Sequence, residues 1–364
     1  NKTWLSQVNY TIIGSGIVGL NCALQLKQQF PNAKILILER GMLPQGASTK
    51  NAGFACFGSL SEILDDLKTH SVDEVIELVQ KRINGLNLLR QNLTDQAINY
   101  QQLGGYELFN TDNQELYERC LSNKDAINNL LFPVLKESIF TLKVNSFGFK
   151  NIYKQLIFNP FEGQIDTGKM MEALLLKVQS AGIKILNNVL VEAFTEINDA
   201  VDIKTSHFQF KSNKLLIATN GFAAQLINED VKPARAQVLI TKPIPNLKVK
   251  GTFHLDKGFY YFRNIDNRIL LGGGRNLDFK GEETTEMTET ALIQNHLEQV
   301  LQTTILPNLP FEIDYCWSGI MGVGNQKKPV VKQLSNHVYC GVRLGGMGVA
   351  IGSIIGKELA QLVD

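Results

Sequence analysis

The 364-residue chain sets 36 Lys and Arg against 35 Asp and Glu, a balance that excludes a global field for nucleic acid or anionic membrane and points to a small-molecule partner. Its 44% apolar and 20% charged content suits a globular enzyme, no apolar run reaches the ~18 residues of a membrane span, and at ~150 residues per domain the length predicts two lobes. NKTWLSQVNY at the start lacks the pattern of a signal peptide, and five cysteines and five histidines are scattered without CxxC or a short-range ligand pair; a cytoplasmic protein without disulfides or metal is expected.

In chain order, YTIIGSGIVGLNCALQLKQQFPNAKILILE predicts a strand at 10–13, a glycine turn, a helix at 17–29 and a second strand at 34–38, a complete βαβ unit. The capping box Ser71-Val72-Asp73-Glu74 starts a helix running through VIELVQKRINGLNLLRQNL, and ELYERCLSNKDAINNLLF predicts another, with the strand YELFN between them. Next come the helix KMMEALLLKVQS and the strands IKIL, VLVEAFTEI, VDIKTSHFQF and KLLIATNG. From Pro233 onward ARAQVLITKPI, GFYYFRN and RILLGGG predict a sheet, followed by the helix ETALIQNHLEQVLQTT and the strand FEIDYCWSGI. VYCGV, a glycine-dense turn and the helix VAIGSIIGKELAQLV close the chain. Strand–turn–helix pieces at both ends predict two lobes interleaved in sequence.

Gly14, Gly16 and Gly19 form G-x-G-x-x-G directly after a strand and at the start of a helix. In that context the first glycine permits the turn, the second a close backbone approach to a pyrophosphate, and the third helix–strand packing; Ser15 and Ile17 share the same turn. Glu39 is the only acid among the first 61 residues and ends the second strand, where a carboxylate accepts hydrogen bonds from an adenosine ribose. Arg40 follows it, but Glu39 would repel a 2′-phosphate, so FAD or NAD is favoured over NADP. Alternation puts Tyr261 and Arg263 on one face of the GFYYFRN strand and Tyr260 on the other, and which of them faces the cofactor is left open.

GSGIVG, LERG, GASTKNAG, IATNG and GVRLGGMGVAIGS, in that order, resemble the FAD-dependent amine oxidase superfamily, which includes D-amino-acid, glycine and sarcosine oxidases. Within it QVLITKP, YYFR with ILLGGGR, and WSGIMGVGNQKKPVV look most like the γ-glutamylputrescine oxidase branch. The resemblance implies an α/β, two-lobe fold: a Rossmann-type FAD-binding domain at 1–75, 145–232 and 311–364, and an antiparallel-sheet substrate domain at 76–144 and 233–310. It implies that Ser48, Lys50, Asn51, Ala52 and Gly53 line the cofactor, and that Val189 meets adenine. By the same likeness Thr219 and Gly221 return to the cofactor, and Gly345, Gly346, Met347 and Gly348 face the flavin's N1–C2 end.

The implied reaction is oxidation of a C–N bond of an amine or amino acid by hydride transfer to flavin N5, hydrolysis of the imine, and reoxidation by oxygen to give peroxide. A dehydrogenase with another acceptor and a non-catalytic flavin-binding subunit are the alternatives. Lys257, Tyr260 and Arg263 are expected near the chemistry, with Arg275 close by. Met321 stands where carboxylate-clamping members carry arginine, so an alkyl group is expected there. No His precedes residue 70, and Cys316 is the one candidate for a covalent link, on a strand expected to bury it; non-covalent FAD is expected.

Overall fold

The computed structural model describes residues 5–363, so the outermost bounds of the expected first domain, 1–4 and 364, lie outside it. Two eight-stranded sheets dominate. In the first, Val8–Ile13 lies between Ile35–Leu38 and Gln209–Ile217, parallel to both, with Ile13 opposite Leu38 and Ile217. Lys184–Leu186 and Val338–Val342 extend it in parallel, and Val330–Ser335 closes one edge. All four residues of Ile35–Leu38 are buried, the signature of a parallel strand covered on both faces.

Helices Ile17–Gln29, Val72–Leu93 and Gly348–Gln361 cover one face of this sheet through a shared apolar core that includes Leu20, Leu86 and Ile355. The stretch 201–210, expected as one strand, folds back on itself: Ala200–Thr205 pairs antiparallel with Gln209–Ile217. The turn at 206–208 is fixed by Thr205 Oγ1, which accepts from the Phe208 N–H at 3.0 Å.

The second sheet runs Ile313–Val323, Lys232–Thr241, Arg268–Gly273, Tyr260–Ile265, Thr252–Leu255, Gly105–Leu108, Gln155–Asn159, Thr141–Val144. All its pairings are antiparallel except that of Thr252–Leu255 with Gly105–Leu108. Phe253 and Phe262 stack at 4.6 Å in its core, beneath the helix Ala291–Val300. Gln155–Asn159 and Ile313–Val323 hydrogen-bond into this second sheet, although they lie within 145–232 and 311–364, the stretches expected in the cofactor lobe. Ladder pairing over ten residue pairs of Lys232–Thr241 with Ile313–Val323 outweighs nearness in sequence to the C-terminal turn.

Candidate functional site

The carboxyl ends of the first sheet and one face of the second enclose a cavity of about 460 Å³, the place where an open α/β sheet binds ligands. Gly14 turns here with φ +102°, and a Cβ on it would lie 2.8 Å from the Ala218 carbonyl oxygen, so only glycine fits. Gly16 precedes the helix Ile17–Gln29, whose first N–H, on Ile17, donates to Ser48 Oγ at 2.9 Å. Glu39 is buried at the cavity wall: its Oε2 accepts from the Ser15 N–H at 3.1 Å and hydroxyl at 2.6 Å, and its Oε1 from the Gly41 N–H at 3.0 Å. Arg40 lies 3.6 Å over the Phe222 ring, with burial lowering its pKa against the pull of Glu39.

The short helix Ala47–Lys50 lines the cavity with Ser48 and Lys50 and leads to Asn51, Ala52 and Gly53. Asn51 ties this turn together, donating to the Ser48 carbonyl at 2.8 Å and accepting from the Gly53 N–H at 2.8 Å. Val189 lines the same space, its N–H bonded to the Glu39 carbonyl at 2.9 Å. Thr219 does too, and its buried Oγ1 has no partner among the described residues. Gly345, Gly346, Met347 and Gly348 contribute the uncapped start of the helix Gly348–Gln361.

Gly19 and Gly221 stand outside the lining. A Cβ on Gly19 would strike the Gly14 carbonyl, and one on Gly221 the Met321 carbonyl, so both serve close packing.

On the second-sheet side Tyr261, Lys257, Arg275 and Met321 face the cavity. Two expected residues do not. Tyr260 points to the other side of the strand, its ring 5.4 Å from that of His296 on the covering helix. Arg263 shares a face with Tyr261, but its guanidinium donates to the Ala52 and Ile165 carbonyls, and burial lowers its pKa to about 10. It braces the loop from behind. Cys316, expected to be buried, is exposed and outside the cavity lining, because its strand is the edge of the sheet.

Sequence reasoning missed Cys56, Glu62, His254 and Lys327, which also line the cavity. His254 Nε2 lies 2.8 Å from Oε2 of buried Glu162, which also accepts from Thr252 Oγ1 at 2.9 Å. Burial pulls the imidazolium down, yet the charge and hydrogen bond of Glu162 outweigh it and raise the pKa to about 9. Behind it Glu107 is pushed up to about 7 by burial, against hydrogen bonds from Ser61. Cys56, Glu162 and His254 bring donor atoms within 4.8 Å of one another, but 2.8 Å between Nε2 and Oε2 is a hydrogen bond, shorter than the ~3.3 Å between two zinc ligands at ~2.0 Å in a tetrahedron. Burial also raises the Cys56 thiol well above its ordinary value. The one local signal was the capping box of Ser59 and Glu62; Glu162 lies 92 residues from His254, and no spacing rule links them.

The arrangement offers backbone N–H groups at two helix starts for a pyrophosphate and an electron-rich ring, a carboxylate for diol hydroxyls, and an orphaned hydroxyl at Thr219. These residues fit FAD. A family model described as FAD dependent oxidoreductase matches residues 9–362. The probable oxidoreductase OrdL of Haemophilus influenzae is 21% identical over 99% of this chain and 84% of its own. The γ-glutamylputrescine oxidoreductase of Escherichia coli is 21% identical over 97% of this chain and 82% of its own. Among solved structures, glycine oxidase from Geobacillus kaustophilus superposes with a TM-score of 0.76 at 18% identity, covering 98% of this chain and 94% of that one. At such identity the structural likeness speaks for the fold.

Proposed function

Because the chain belongs to the FAD-dependent oxidoreductase family, we propose that it oxidises a carbon–nitrogen bond of a small amine, using non-covalently bound FAD. FAD, when bound, supplies the hydride acceptor. In this reading Glu39 holds the ribose, residues 48–53 and the glycine turn 14–17 hold the pyrophosphate and ring, and residues 345–348 stabilise the negative charge of the reduced ring. Residues 5–75 and the first sheet make up the cofactor lobe, and the second sheet makes up the substrate lobe.

The observation that carries the choice of an amine is the state of the titratable groups facing the cavity. His254 is kept protonated by Glu162. Glu62 is opposed by its own burial, but the charge of His254 and the Ser59 N–H draw its pKa below the ordinary carboxylate value, which makes it a weak proton acceptor. A neutral amine needs no base, since its lone pair drives the hydride from the adjacent carbon; an alcohol must surrender its proton in the same step. Catalysis is then mainly positioning of that carbon by Tyr261 and Met321. The resulting imine is hydrolysed by water, and oxygen takes up the electrons as peroxide.

Met321 has no planar fork for a carboxylate, and its thioether lies 3.3 Å from where a Cβ of Gly346 would stand. The carbon being oxidised therefore carries hydrogen or alkyl. The test is anaerobic mixing with glycine, sarcosine, D-amino acids, alkylamines and 2-hydroxy acids. Bleaching of the flavin fastest by an amine without an α-carboxylate is the expected result; fastest bleaching by a hydroxy acid rejects the amine, and by an α-amino acid rejects the role of Met321. Air-saturated assays for peroxide decide the acceptor.

A further inference from the structure

A second recess, of about 390 Å³, opens between the helices Ile17–Gln29, Val72–Leu93, Thr167–Ser180 and Gly348–Gln361, and it shares no lining residue with the cofactor cavity. Three of these helices present residues to it at i, i+4: Asn21 and Gln25, Leu88 and Asn92, Ser353 and Lys357, a spacing that puts each pair on one helical face. The first and last helices meet closely beside it. A Cβ on Gly352 would lie 2.6 Å from Ile17 Cγ2, and one on Gly356 2.6 Å from the Val18 carbonyl oxygen. Ser353, between those two glycines in sequence, lines the recess and is wholly buried, and its Oγ has no partner among the described residues. Close packing alone would be served by alanine, whereas a buried hydroxyl without a partner is destabilising.

Lys27, Lys177 and Lys357 line the same recess, and no Asp or Glu does. Lys27 Nζ donates to the Ala33 carbonyl at 3.1 Å and Lys177 Nζ to the Asn92 carbonyl. These acceptors are neutral, so each ammonium keeps its charge and two further donors. Lys357 makes no ion pair among the described residues, and the acid next to it in sequence, Glu358, is held by Lys81 at 3.0 Å. Asn21 is fixed in place, donating to the Ile17 carbonyl at 2.8 Å and accepting from Asn92 Nδ2 at 3.3 Å, and Leu24 and Leu88 add an apolar wall.

We propose that this recess binds a small molecule bearing a phosphate or pyrophosphate group, which Lys27, Lys177 and Lys357 neutralise and to which Ser353 Oγ donates. Three separate ammonium groups suit an anion of two or more charges; a single carboxylate would leave two of them uncompensated. They are point charges without the planar fork that favours a carboxylate. The volume falls within the range of about 300–1,000 Å³ typical of small-molecule sites, more than a lone phosphate fills, and the two leucines can cover an organic remainder. The site does not depend on which bond the enzyme oxidises.

The test uses FAD-loaded protein, so that the cofactor cavity is occupied, with Lys357→Gln and Ser353→Ala beside the parent chain. Sodium pyrophosphate is titrated by calorimetry at an ionic strength held constant with KCl. The parent is expected to bind it saturably at one site, and each variant about tenfold more weakly, as loss of a hydrogen bond to a charged group implies. In thermal melts without pyrophosphate Ser353→Ala should exceed the parent, because the orphaned hydroxyl is gone, and saturating pyrophosphate should shrink or reverse that difference. No saturable binding, or equal dissociation constants in all three proteins, overturns the proposal. Weakening by Lys357→Gln with Ser353→Ala binding like the parent also overturns it, since the anion then sits on the lysines outside the recess. Should Ser353→Ala fail to fold, Asn92→Leu takes its place in the titration.

Discussion

Glu39 concentrates three donors on one buried carboxylate, which fixes its orientation toward the cavity before any ligand arrives. Replacing it with alanine should weaken FAD binding by about 1.5–3 kcal/mol, the worth of hydrogen bonds to a charged group, read as a ten- to hundredfold rise in the dissociation constant by fluorescence titration. An unchanged constant would place the ribose elsewhere. The pair His254 and Glu107 makes a second residue-level statement, about pH. The folded value of His254 is about 9 against 6.5, and that of Glu107 about 7 against 4.5, so in both windows the folded state holds more protons. Stability from Glu107 is complete below pH 4.5 and is lost as pH rises through 7; that from His254 is complete below 6.5 and is lost as pH rises through 9. We expect the melting temperature of Glu107→Gln to gain on the parent between pH 4.5 and 7. A constant difference over that range would show that burial of Glu107 costs nothing on ionisation.

Elements are joined to one another by glycines and by a buried arginine. The helix Ile17–Gln29 sits so close to its strand that any side chain at Gly19 would occupy the Gly14 carbonyl. Gly19→Ala should cost about 1–3 kcal/mol as overpacking does, seen as a lower urea midpoint with an unchanged slope. Arg263 holds the Ala52–Gly53 segment, and one of its guanidinium nitrogens lies 2.7 Å from where a Gly53 Cβ would be. Arg263→Met leaves the Ala52 and Ile165 carbonyls without that donor, and each buried acceptor so orphaned costs about 1–3 kcal/mol. Calorimetry should show the drop in melting temperature, and FAD affinity should fall with it because the loop lining the cavity loses its brace. If stability falls while FAD affinity holds, the loop is braced by Trp317, whose Nε1 donates to the Lys50 carbonyl at 2.9 Å.

For the whole molecule the consequence is that both sheets contribute to one cavity, so ligand binding and folding are coupled. At free FAD about a hundredfold above its dissociation constant the folded protein should gain about 2.7 kcal/mol, and the melting temperature should rise with added FAD. Acid precipitation should leave the flavin in the supernatant, since Cys316 is outside the cavity and the Cys56 thiol within it is held protonated. Colour retained in the washed pellet would demonstrate a covalent bond. Among the described residues no helix is long and apolar enough to cross a membrane.

The sequence by itself determined the βαβ unit and the glycine turn, because strand, turn and helix there are local and each residue's part is set by neighbours within about 30 positions. It singled out Glu39 by its isolation among the first 61 residues, whereas Ser48 and residues 50–53 and 345–348 were picked out by the family resemblance of their motifs, and all of them line the cavity. Only the tertiary structure decided which face of Tyr260–Ile265 meets the cavity, since alternation is symmetric until a second layer covers one side. It also removed Arg263 from the chemistry, by giving it the carbonyls of Ala52 and Ile165, 211 and 98 residues away. The same holds for His254 with Glu162: whether a buried charge is paired depends on which distant strands come together, and hydrophobic periodicity carries no information about that.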